Sequence, residues 1–103
     1  MLKTLDVFTP PTKLNVSWDY SFTDKALKEL KKLDAPQSQR IIAYLEERIK
    51  GEEDPRRFGK GLKGNLGNYW RYRIQDYRIL CEIKDEAFIV LVVKTGHRRD
   101  VYD

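Results

Sequence analysis

From residue 22 onward, apolar side chains recur every three or four positions. Phe22, Ala26, Leu27, Leu30 and Leu33 form one stripe, while Lys25, Lys28, Glu29, Lys31 and Lys32 take the opposite face. Ser21, with Asp24 three residues later, has the spacing of a capping box with a shortened acid. Asp34 and Pro36 then mark a break and a second start. Ile41, Ile42, Leu45 and Ile49 make a second stripe, which Gly51 suits as a C-cap. This pattern predicts two amphipathic helices joined as an αα-hairpin. Ahead of them, residues 15–20 (NVSWDY) alternate well enough for a first strand, with Val16 and either Trp18 or Tyr20 inward. Residues 1–14 hold no steady period and carry Pro10-Pro11; they read as an arm or leader outside a single domain spanning 15–103.

Past the second helix the periodicity changes. Residues 51–68 hold five of the six glycines and read as a loop anchored by Phe58 and Leu62. No GKS or GKT follows, so this is not a phosphate-binding P-loop. Period-two alternation begins at Tyr69–Ile74 and continues through Tyr77–Ile83. Ala87–Val93 is apolar on both faces, as expected of a central strand, and Asp85-Glu86 can turn between the last two strands. The order is β-α-α-β-β-β, an α+β domain with a tail from Thr95 to Asp103.

The second and third strands read as a hairpin closed by Gln75-Asp76 as a two-residue turn. Ile74 then lies opposite Tyr77, Arg73 opposite Arg78, Tyr72 opposite Ile79 and Arg71 opposite Leu80. Trp70, Tyr72, Ile74, Tyr77, Ile79 and Cys81 share one face, and Arg71, Arg73 and Arg78 share the other. Like charges directly across a ladder cost on the order of 0.5 kcal/mol or more. Packing gives no reason for such an arrangement, whereas an anion held between two guanidinium groups turns the repulsion into a clamp. The competing reading is a surface network in which Glu82, Asp85 or Glu86 neutralises the arginines.

Charge distribution strengthens the anion reading. The net charge is +4, but residues 55–78 hold seven basic residues (Arg56, Arg57, Lys60, Lys63, Arg71, Arg73, Arg78) against Asp76 alone. Such a patch favours a polyanion, of which nucleic acid is the commonest. Arg56, Arg57, Lys60, Lys63 and Arg99 are the candidate RNA-binding residues around the hairpin. With one His and one Cys, a His/Cys metal site is excluded, and no motif supports a carboxylate site or any cofactor. Cys81 cannot form an internal disulfide and reads as a small core residue. The longest apolar run, Ala87–Val93, is too short to cross a membrane, and the N-terminus lacks a secretory stretch, so a cytoplasmic protein without a membrane partner is expected.

The tail, GHRRDVYD, completes the candidate site. His97 is the only histidine and suits proton transfer at neutral pH. Arg98 and Arg99 follow it, and Tyr102 can stack on a base or hydrogen-bond a phosphate. RNA carries its own nucleophile, the 2′-hydroxyl. Its attack needs charge stabilisation at phosphorus and a proton for the departing 5′-oxygen. Arginines supply the first without a metal, and His97, or less conventionally an arginine, the second.

LKGNLGNYWRYRIQDYRILCEI followed by GHRRDVY resembles the RelE branch of the RelE/ParE toxin superfamily, and ALKELKKLD with the DPRRFGKGLKG loop fits the same pattern, over about residues 15–102. The resemblance implies a helical hairpin packed on a curved antiparallel sheet, of microbial-RNase type. It implies an mRNA interferase acting in the ribosomal A site. It also implies a cognate acidic antitoxin that wraps the toxin, in a complex expected to be a heterotetramer. Its catalytic positions correspond to Arg71, Arg73, Arg78, Arg98 and Tyr102. At His97 some members carry lysine, which leaves the general acid open between His97 and Arg98. The ParE branch shares the fold, poisons DNA gyrase and lacks this full set of residues. A non-nuclease toxin that binds a protein target and an inactive RNA-binding relic are the alternatives.

Overall fold

Two helices form where the 3.6-residue stripes lie. The computed structural model describes residues 17–101. Strand β1 (Asp19–Phe22) runs directly into helix α1 (Asp24–Lys32). The cap is Thr23, whose hydroxyl accepts from the Ala26 N–H at 3.1 Å. Ser21, the expected cap, is instead a strand residue paired with Leu91, because the parallel ladder extends to Phe22 and claims it. Asp34 caps helix α2 (Ala35–Arg48), and Pro36 occupies the first turn, where its missing N–H costs nothing. Ala26 and Leu30 of α1 and Ile41 and Leu45 of α2 are buried, whereas Leu27 is exposed. Gly51 lies two residues beyond the C-cap, Ile49, at φ +81°.

The stretch 51–68 is less plain a loop than expected. It holds 3-10 turns at Pro55–Arg57 and Gly64–Leu66 and, between them, the two-residue strand β2 (Lys60–Gly61). Strands β3 (Trp70–Ile74), β4 (Tyr77–Lys84) and β5 (Ile89–His97) complete one sheet of order β1-β5-β4-β3-β2. The strands linked by tight turns are antiparallel, as short connections require. β1 is distant in sequence from β5 and pairs with it parallel, so the sheet is mixed rather than wholly antiparallel. Val16 lies outside the described residues; Trp18 is buried just ahead of β1, and Tyr20 packs half-buried on the core.

β5 starts later and ends later than its apolar run. Ala87 belongs to a 3-10 turn, Asp85–Ala87, that closes at Phe88 with φ 54°. The ladder then continues past Val93 to Tyr77↔His97, with a bulge between Leu80 and Cys81. Thr95 continues the strand because its buried hydroxyl donates to the Ala26 carbonyl of α1 at 3.1 Å. The helices cover one sheet face, over Tyr72, Ile74, Ile79, Cys81, Val90 and Val92. The opposite face carries Arg71, Arg73 and Arg78.

Candidate functional site

The β3–β4 hairpin is built from alternation. The pairs Arg71↔Leu80, Tyr72↔Ile79, Arg73↔Arg78 and Ile74↔Tyr77 are those expected, closed by Gln75-Asp76 with Gln75 at φ 56°. Tyr72, Ile74, Ile79 and Cys81 point into the core, which forces Arg71, Arg73 and Arg78 onto the far face. Arg71 and Arg78 are only 3% and 6% exposed, while Arg73 is open to solvent. The Arg78 guanidinium is held at the turn, donating to the Gln75 carbonyl at 2.7 Å and the Tyr77 carbonyl at 3.0 Å. Burying guanidinium groups this deeply beside another on one face costs desolvation and repulsion that apolar packing would avoid. Of the acids expected to compete, Asp85 holds Arg56 through two bonds of 2.9 Å and Glu82 holds Lys84 at 2.7 Å.

The β5 end completes the row. Gly96 lies directly across from Arg78. A Cβ built on Gly96 would stand 3.4 Å from Val101 Cγ2 and 3.6 Å from Asp100 Cβ, so the tail folds back above this glycine. Bonds from Asp100 N and Val101 N to the His97 carbonyl close that turn, and Val101 is buried. Tyr102, the next residue, lies outside the described residues.

Here the register corrects one expectation. His97 pairs with Tyr77, and the rings meet edge to face at 5.5 Å, on the face opposite Arg78. Its Nδ1 accepts from the Arg99 N–H at 3.3 Å. The imidazole therefore does not share the arginine surface, because one residue separates it from Gly96 and strand faces alternate. Arg98, the first residue of the turn that follows β5, is pinned by a 2.8 Å bond from its N–H to the Asp76 carbonyl, one step beyond that pair, and is exposed.

The flanking bases divide into two groups. Arg56 and Arg57 lie on a 3-10 turn in exposed ion pairs, Arg56 with Asp85 and Arg57 with Glu52 at 3.1 Å. The hydrogen bond to Arg56 holds the Asp85 carboxyl below its ordinary pKa and raises that of Arg56. Lys60 stands directly across from Arg71 on β2. Lys60, Lys63 and Arg71 share the rim of a cavity of about 340 Å³. Arg99 is exposed in the tail turn.

Gly59 makes the Lys60 placement achievable. It sits at φ +79°, and a Cβ there would come within 2.5 Å of the Arg71 carbonyl and 2.7 Å of the Tyr72 ring. The Trp70 indole N–H donates to the Phe58 carbonyl at 2.8 Å and the buried Tyr72 hydroxyl to the Pro55 carbonyl at 2.7 Å, binding this segment to β3. Sequence reasoning did not single out Gly59 or Gly96, although DPRRFGKGLKG and GHRRDVY contain them. Burial pushes the Cys81 thiol and the Tyr72 phenol well above their ordinary pKa values, so neither is a nucleophile here. Among the described residues no cluster of three or more His, Cys, Asp or Glu could hold a metal ion, and no described helix is long and apolar enough to cross a membrane.

Comparison with known proteins agrees with this architecture. Residues 20–102 match the family described as ParE toxin of type II toxin-antitoxin system. The chain is 35% identical over 83 residues to Toxin RelG of Mycobacterium tuberculosis, covering 79% of this chain and 91% of that one. The toxin–antitoxin complex RelBE2 of the same organism contains a similar chain, with TM-score 0.73, 28% identity, and coverage of 82% of this chain and 94% of that one. The isolated Escherichia coli RelE toxin is similar at TM-score 0.64 and 26% identity, covering 78% and 83%.

Proposed function

The chain belongs to the ParE toxin family of type II toxin–antitoxin systems, on the RelE branch of the RelE/ParE superfamily, and from that premise we propose that it is a metal-independent endoribonuclease that cuts mRNA in the ribosomal A site. The observation that carries this reading is the placement of Arg71, Arg73 and Arg78 on one sheet face, with Arg73 and Arg78 directly opposed.

In this mechanism the scissile phosphate lies over that face. Arg73 and Arg78 take its non-bridging oxygens, and their charge offsets the negative charge that grows on the phosphorane. The neighbouring 2′-hydroxyl gives its proton to solvent as its oxygen attacks phosphorus, and the P–O5′ bond breaks. The products are a 2′,3′-cyclic phosphate and a 5′-hydroxyl. The departing oxygen needs a proton. His97 lies on the far face, so Arg98 is assigned the hydrogen bond through which that proton arrives, and His97 the support of the tail turn. Tyr102 is assigned a stacking role on the exposed base. Lys60, Lys63 and Arg99 contact the strand to either side, and Arg56 and Arg57 widen the basic surface.

The working partners are the message, the ribosome and an acidic antitoxin in a complex expected to be heterotetrameric, all cytoplasmic. The antitoxin assignment draws on the RelBE2 neighbour, which was solved as a toxin–antitoxin complex. The test is translation of a reporter message with purified protein, followed by primer extension. Cleavage within codons is expected; intact message at ribosome stoichiometry would contradict the reading. A second reading, a non-nuclease toxin that binds a protein target such as DNA gyrase, is favoured by the ParE description of the matching family. Inhibition of gyrase supercoiling without RNA cleavage would select it.

A further inference from the structure

A second cavity, of about 430 Å³, opens beside the arginine face where the end of α2 meets β2. Its lining includes Tyr44, Arg48, Phe58, Lys60, Arg71 and Arg73. The Arg48 guanidinium lies over two rings at once, 5.5 Å from the Tyr44 centroid and 5.1 Å from that of Phe58. Among the described residues no carboxylate pairs with Arg48 or Lys60, in contrast to Arg56 and Arg57 nearby. Among the described residues no acid lines the cavity. An exposed arginine at a helix C-terminus is favoured by the helix dipole. That accounts for its charge, but not for a planar cation and aromatic rings set around a cavity continuous with the phosphate-binding face.

Such a wall has the chemistry of a nucleobase platform. Bases in single-stranded RNA stack on aromatic rings and on guanidinium planes, and every base has a π-face to offer. A strand whose phosphate lies on Arg73 and Arg78 has neighbouring nucleotides within reach of this wall. We infer that the cavity is a subsite for one base beside the scissile phosphate, with the Arg48 guanidinium as its stacking surface and Lys60 on the adjoining phosphate. The inference rests on the RNA-cleavage reading. It makes Arg48 a base-binding residue rather than a catalytic one.

The experiment is single-turnover cleavage of messages, both free and programmed on ribosomes, in which one abasic nucleotide is moved stepwise across the three positions on either side of the cut. Wild type is compared with Arg48→Ala, which removes the guanidinium plane, and Arg48→Lys, which keeps the charge and loses the plane. At one position the abasic message should be cut by wild type about tenfold more slowly, within the range expected of one lost stacking contact. Arg48→Ala and Arg48→Lys should cut the intact message with that same deficit, and lose little more on the abasic one. Losses that simply multiply, or an Arg48→Lys protein indistinguishable from wild type, would remove the subsite while leaving the ribonuclease reading intact. A wild-type protein that cuts no message would remove both.

Discussion

At the scale of single residues, position decides role more than identity does. Three arginines share one sheet face and are proposed to hold a phosphate, whereas Arg56 and Arg57 are bound in surface ion pairs. Arg73→Ala is expected to slow cleavage by about 10²–10³, as loss of one donor to the developing charge does. It should leave the protein folded, because Arg73 is exposed. Arg98→Ala should match it, while His97→Gln should keep at least about a tenth of the rate, a smaller loss than the roughly 10²–10⁴ that removal of a positioned acid brings. Equal, large losses in both would return the imidazole to the chemistry. Gly59→Ala acts on stability instead. The positive φ and the clash with the Arg71 carbonyl together should cost about 2–4 kcal/mol, read from urea denaturation. The Cys81 thiol, buried and pushed upward in pKa, should stay unreactive to a thiol reagent until the protein unfolds.

At the scale of elements, the β3–β4 hairpin was legible in the sequence down to its register, because strict alternation leaves one pairing that buries Tyr72, Ile74, Ile79 and Cys81 together. The helical hairpin was legible for the same reason, with Asp34 and Pro36 as punctuation. Ser21 misled because a strand's hydrogen bonds override a capping signal that is local. The end of β5 was hidden because Thr95, Gly96 and His97 are not apolar; their strand character comes from β4 and from the bond to Ala26. That hidden extension is also why the face of His97 could not be read. Two-residue β2 carries no pattern at all and exists through pairing with β3. The hairpin turn offers its own test. Gln75 holds φ 56°, which glycine adopts without strain, so Gln75→Gly should stabilise by about 0.5–1 kcal/mol in urea denaturation. Unchanged or lower stability would show that the turn is not strained. The β1–α2 contact titrates. Burial, then the hydrogen bond to Glu46, pushes the Tyr20 phenol from 10.0 up to about 12. A raised folded-state pKa contributes stability that is full below pH 10 and is lost as pH rises through 12. The gap in urea midpoint between wild type and Tyr20→Phe should therefore narrow across that window; a constant gap would contradict the assignment.

At the scale of the whole molecule, a mixed sheet with helices on one side leaves the other side open, and the chain concentrates positive charge there. Binding to single-stranded RNA should fall with salt at a slope of about −0.7 for each phosphate neutralised, and Arg73→Ala should lower that slope by about one such unit. An acidic partner covering the same surface should abolish the binding. The central claim is that the arginine face holds a phosphodiester for attack by its own ribose. The most direct measurement places a single 2′-deoxynucleotide immediately 5′ of the bond mapped by primer extension, in an otherwise unchanged message. Cleavage at that bond should disappear while neighbouring bonds remain open to attack, and the all-ribose message should yield a 2′,3′-cyclic phosphate end. Cutting at the deoxy position at the all-ribose rate would show that another nucleophile does the work and that this account of the site is wrong.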